Sequence, residues 1–110
     1  MNAAGLNFVL GGVIATLKMP DFKNIVTNGS VSADEFNGTV HNLDAVAATL
    51  KKTPAAKIAA MIAANDAKLT AHLNRLNSDW AAGDPLPAFR EAQTMAGYIT
   101  TIMAKSGLHE

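Results

Sequence analysis

The chain has no cysteine among its 110 residues. That excludes a disulfide scaffold, a thiolate zinc site and a cysteine nucleophile, and leaves the redox compartment undetermined. It has no surplus of charge either: nine Lys and Arg balance nine Asp and Glu. A neutral surface offers no broad field to gather nucleic acid or anionic lipid, so no nucleic-acid partner is expected. Long apolar runs are missing as well. The longest, Leu6 to Leu17, falls short of the about 20 residues a membrane span needs, and Asn7 and two glycines interrupt it. The first lysine is Lys18, so no basic segment precedes that run as in a secretion signal, and a cytoplasmic or virion location is expected. No P-loop, GxGxxG, HExxH or GxSxG pattern occurs; Gly11-Gly12 lacks the lysine and hydroxyl residue of a phosphate cradle. Nothing calls for a cofactor or a metal ion.

A hydrophobic fraction of 49% in a chain of this length places it with globular proteins of one domain over 1–110, an apolar N-terminal segment (1–32) preceding a helical unit (33–110). No internal repeat or low-complexity linker divides it.

The segment from Thr53 to Gly83 is the longest unbroken helical pattern and reads as one helix over about 54–82. Thr53 caps it, Pro54 takes the first helical position and Gly83 supplies a left-handed stop. At about 100° per residue, Ile58, Ile62, Asn65, Leu69, Leu73, Leu76 and Trp80 share a core stripe. Lys57, Lys68, Arg75 and Asp79, with Met61 and His72 beside them, face water. A third surface carries Ala56, Ala60, Ala63, Ala67 and Ala71. Small side chains there admit a second backbone, although alanine's helix propensity alone also accounts for them. Asn65, polar within the apolar stripe, either fixes register against a partner or makes a hydrogen bond within its own molecule.

Ahead of this helix, Leu6 to Leu17 has two readings. As a helix it places Leu6, Leu10, Val13 and Leu17 on one face, with Gly11 and Gly12 costing roughly 2 kcal/mol relative to alanine. As a hairpin turning at Gly11-Gly12 it pairs Leu10 with Val13, Phe8 with Ala15 and Leu6 with Leu17 on one side; this register is the preferred expectation. Met19-Pro20-Asp21 reads as a turn, and Asn28-Gly29 as a second hairpin loop that sets Val26 against Val31. Ser32 and Glu35 form a capping box for a helix over about 33–52, buried through Phe36, Val40, Leu43, Val46, Ala47 and Leu50. Asp84 followed by Pro85 starts a last helix to about residue 105, with Phe89, Ala92, Met95, Ala96, Ile99, Ile102 and Met103 inward, and residues 106–110 as a polar tail. The expected fold is mainly α: three antiparallel helices (33–52, 54–82, 85–105) preceded by a small β-hairpin, the alternative being an N-terminal helix in an all-α protein.

Few residues carry chemistry. His41 lies one turn from Asn37 and Asp44, which allows a carboxylate-oriented imidazole but offers no nucleophile. His72 has no second histidine at metal-ligand spacing and reads as a boundary residue; His109 lies in the tail. Asn28-Gly29-Ser30 and Asn37-Gly38-Thr39 match a glycosylation pattern that matters only on a secretory route. The function expected is therefore a non-catalytic structural or assembly protein, working by helix packing in a homo-oligomer or with other subunits in a larger particle such as a virion or phage. Leu6, Phe8, Leu10, Ala56, Ala60, Met61, Ala63, Ala67 and Ala71 are its candidate interface. The alternatives are a membrane-docking protein using the apolar N-terminal segment and a small enzyme using a histidine at a subunit boundary.

Overall fold

The computed structural model describes residues 1–108, which form six helices and no strand. They are α1 (Ala3–Leu17), α2 (Pro20–Thr27), α3 (Ala33–Lys52), α4 (Ala55–Ala64), α5 (Asp66–Ala81) and α6 (Pro85–Lys105). The all-α alternative holds, and the expected hairpins are corrected to helices. Leu6, Leu10, Val13 and Leu17 are all buried on one side of α1. Burying each is worth about 1.5–3 kcal/mol, which outweighs the roughly 2 kcal/mol that two helical glycines cost. Asn2 starts α1, its side chain accepting from Gly5 N–H.

Pro20 does not close a turn; it occupies the first position of α2, where its missing N–H costs nothing. Asn28-Gly29 lies in the link from α2 to α3 rather than between strands, and Val26 and Val31 reach the core from either side of it. α3 keeps its expected limits. Its capping box is half formed: the Ser32 hydroxyl accepts from Glu35 N–H, whereas the Glu35 carboxylate accepts from Arg90 of α6 at 3.1 Å. Thr53 ends α3 and does not open the next helix, its hydroxyl donating back to the Thr49 carbonyl.

The single long helix is divided. Asn65 (φ −126°, ψ 18°) leaves helical geometry, and its side-chain amide donates to the Met61 carbonyl at 2.8 Å. Asn65 thus serves its own molecule, and it separates α4 from α5. The break also corrects the helical wheel: Met61, placed at a water-facing edge by a continuous helix, is buried in α4 beside Ile58 and Ile62.

Gly83 adopts the expected left-handed conformation (φ 76°), after which Asp84 caps α6 through Leu86 N–H and α6 folds back along α5. Every residue expected on the inner side of α6 is buried. Its end is less polar than expected: Gly107 is left-handed, Leu108 N–H donates to the Met103 carbonyl at 2.8 Å, and the Leu108 side chain is buried. This is a Schellman stop. His109 lies outside the described residues.

One cluster of buried side chains draws on all six helices. Phe36 and Phe89 stack within it at 5.2 Å, and Phe22 bridges from Phe36 to Trp80, 6.5 and 5.9 Å away.

Candidate functional site

Two places on this framework have chemistry that the core does not use up. The first is the outer side of α1. The helix is apolar around most of its circumference, yet it is buried only on the side bearing Leu6, Leu10, Val13 and Leu17, with Ala3, Val9 and Ile14 half-buried beside it. A helix of that composition is ordinarily enclosed on all sides. On the uncovered side Ala4, Phe8, Gly11 and Ala15 follow one another turn by turn, and Phe8 is 84% exposed. A Cβ added at Gly11 or Gly12 meets nothing within 4 Å, so no packing within the molecule requires glycine at either position. Beside Phe8 runs an open groove walled by Val9, Gly12 and Thr16 of α1 and by Leu76 and Trp80 of α5. Met1, Phe8, Met19 and Ile25 are the exposed large hydrophobic side chains among the described residues, and all four belong to the first 25 positions.

The candidate interface residues separate accordingly. Leu6, Leu10 and Met61 are buried within one molecule and are not available to a partner. Phe8, Ala56, Ala60, Ala63, Ala67 and Ala71 are exposed. Phe8 shares its groove with the C-terminal part of α5, whereas Ala63 and Ala67 line a different, shallow groove at the α4–α5 break. Trp80 and Leu76 were expected in the core stripe; Leu76 is buried there, and half-buried Trp80 also turns a wall toward Phe8.

The second place lies between α5 and α6. His72 Nδ1 stands 3.0 Å from Glu91 Oε1, and both side chains are largely buried, at 14% and 12% exposure. Arg75 brings its guanidinium to 3.1 Å from His72 Nδ1 and 3.7 Å from Glu91 Oε1, offsetting the carboxylate charge. Nδ1 thus meets a carboxylate oxygen, which accepts, and an arginine N–H, which donates, so one tautomer satisfies only one of the two contacts. Tyr98 packs its ring against the imidazole at 4.7 Å, and its hydroxyl is buried without a hydrogen-bond partner among the described residues.

Sequence reasoning placed His72 at a boundary and missed Glu91 and Tyr98. A signal was present, because Arg75 and Glu91 stand equally far along the chain from Gly83, where the two helices reverse. His41 is exposed on α3, and Asp44 pairs instead with Lys18 at 3.2 Å. Asp34 and Glu35 stand in the first turn of α3, where negative charge favours the helix end. Among the described residues no three His, Asp or Glu side chains converge as a metal site would require. No single helix is long and apolar enough to cross a membrane; α1 and α2 meet that test only as a pair bent by 71°.

Compared with known protein families, curated proteins and solved structures, the chain matches none.

Proposed function

We propose that the chain is a non-catalytic assembly protein that associates through the outer side of α1, with copies of itself in a homo-oligomer or within a larger particle such as a virion. The observation that carries this reading is Phe8, 84% exposed midway along an apolar helix. Single apolar side chains are ordinary on a protein surface, but Phe8 adjoins an apolar groove walled by Val9, Leu76 and Trp80, and a contiguous apolar surface is what an interaction site requires. The segment Met1 to Leu17 also contains no charged side chain, so two copies can meet along it without burying an unpaired charge.

Light scattering on the eluting peak of a sizing column, at tens of micromolar protein, tests the proposal. Wild-type protein is expected above monomer mass and the Phe8→Asn variant at monomer mass. A wild-type monomer at every concentration removes self-association as the mode of assembly.

Membrane docking is the second reading, favoured by the gathering of Met1, Phe8, Met19 and Ile25 in one segment. Interfacial helices, however, typically carry a lysine- and arginine-rich polar face, and α1 has none. Flotation with neutral and anionic liposomes separates the two readings: wild-type protein remaining at the bottom of the gradient, as Phe8→Asn does, leaves protein association as the use of this face.

A further inference from the structure

α3 and α6 lie side by side, and polar side chains bridge their seam at one end only. Arg90 of α6 reaches Glu35 at 3.1 Å, and one turn further along Gln93 reaches Thr39 at 3.5 Å. Beyond them the facing side chains shorten to Thr49 on α3 and Gly97 and Thr100 on α6, and the seam opens into a groove of about 490 Å³. Sites for small organic molecules commonly measure about 300–1,000 Å³. Buried Val46, Met103 and Leu108 supply its apolar walls, Leu108 being turned inward after the left-handed Gly107. Within this groove Thr49 is 8% exposed, and its hydrogen bonding is unfinished. Thr39 and Thr100, on the same two helices, each donate the hydroxyl proton to the carbonyl one turn back, at 3.0 and 2.8 Å. The Thr49 hydroxyl makes no such bond and has no other partner among the described residues; only its carbonyl is engaged, by Thr53. Nor is it sealed in the core, where the Tyr98 hydroxyl is the unpaired buried side-chain oxygen among the described residues. A helical threonine divides between a rotamer that bonds back to its own helix and one that does not. Thr49 takes the second, and its oxygen keeps access to the groove that it walls.

We propose that the α3–α6 groove binds a small uncharged alcohol, its hydrocarbon body against Val46, Met103 and Leu108 and its hydroxyl on Thr49. A hydroxyl both donates and accepts, as Thr49 does, so the bond forms in either direction. No Lys, Arg, Asp or Glu lines the groove, so a charged guest gives up hydration and meets no counter-ion. Gly97 contributes room: a Cβ added there meets nothing within 4 Å, so packing within the molecule does not ask for a glycine at that point. None of the walls belongs to α1, so this site and association through α1 stand or fall separately.

Benzyl alcohol is the probe, titrated through the millimolar range into isotope-labelled protein and followed by backbone amide NMR. Toluene, which lacks the hydroxyl, and benzoate, which carries a charge in its place, are the companions. The expected result is saturable benzyl alcohol shifts centred on Thr49, Gly97 and Thr100, with benzoate weaker at the same residues by at least about tenfold. Thr49→Val keeps the shape of the side chain and removes its hydroxyl. It is expected to weaken benzyl alcohol by about three- to tenfold, the range of one neutral hydrogen bond, and to leave toluene no weaker. The comparison of benzyl alcohol with benzoate on the wild type needs no variant. No saturable shift at the groove overturns the proposal, as does benzoate bound as tightly as benzyl alcohol. So does a Thr49→Val variant that binds benzyl alcohol as the wild type does, or that loses toluene to the same extent.

Discussion

Phe8 and Phe36 are the same residue in opposite circumstances. Phe36 is 2% exposed, stacks on Phe89 and leans on Phe22, so truncation removes a large apolar side chain and leaves a cavity that a close-packed interior only partly fills. Phe36→Ala is expected to lower unfolding free energy by about 3–5 kcal/mol in urea denaturation, a large part of what a domain of this size has. Phe8 has almost no packing to lose, and Phe8→Ala is expected to stay within about 0.5 kcal/mol when measured under dilute, monomeric conditions. A destabilisation of Phe8→Ala near that of Phe36→Ala would mean that Phe8 belongs to the core and not to an interface. Spacing on α3 made Phe36 legible as a core residue, because it recurs with Leu43, Val46 and Leu50 on one side. Phe8 fell on the same side as Leu6 only in a two-residue repeat, so the mistaken period hid its exposure. Glu35 shows another limit: the local pattern Ser-x-x-Glu specified a cap, but a guanidinium from α6, distant along the chain, took the carboxylate.

At the scale of elements, several helix starts and stops were legible from local capping chemistry, whereas Thr53-Pro54 was not: Thr53 ends α3 and Pro54 stands at the cap of α4 and not at its first position. Ser32, Asp84-Pro85 and Gly83 act as expected. What else was not legible depended on tertiary burial. Gly11-Gly12 and Asn28-Gly29 both have the composition of a hairpin loop, yet Leu6, Leu10, Val13 and Leu17 gain more by entering the core as one helical side. The division at Asn65 was hidden because the apolar stripe runs through it without a change of period. These glycines allow a measurement. Neither position is left-handed and an added Cβ meets no neighbour, so Gly11→Ala with Gly12→Ala is expected to stabilise the isolated molecule by about 2 kcal/mol, raising the thermal midpoint by several degrees. If α1 uses its bare backbone to approach a partner, the same double change weakens association while it strengthens the fold. A stabilised variant that associates as well as wild type would leave Phe8, without the glycines, as the basis of the contact.

In the whole molecule, the core is closed within a single copy of the chain. Its accessible surface is 6015 Å², close to the roughly 5,800 Å² expected for a monomer of this mass, and its core already holds Leu6, Leu10 and Met61. The association proposed above would therefore rest on a patch and not on an unfinished core, and the size of the patch would set its strength. Fifteen helical residues span about 22 Å, and a strip about 10 Å wide along them comes to roughly 220 Å². A standard interface needs about 800 Å² per partner. Contact along α1 alone is thus too small for a permanent dimer, and a stable one must extend beyond it, the Trp80 wall of α5 being the neighbouring surface. The proposed self-association is therefore expected to be a weak, concentration-dependent equilibrium. Because a partner that binds only folded molecules stabilises them by RT ln(1 + [L]/Kd), protein at about 100 times its dissociation constant gains about 2.7 kcal/mol. The wild-type thermal midpoint is expected to climb over a hundredfold rise in concentration through the micromolar range, and that of Phe8→Asn to stay flat. Two flat curves would show that copies of this chain do not cover α1, and that the partner, if the helix has one, is a different subunit.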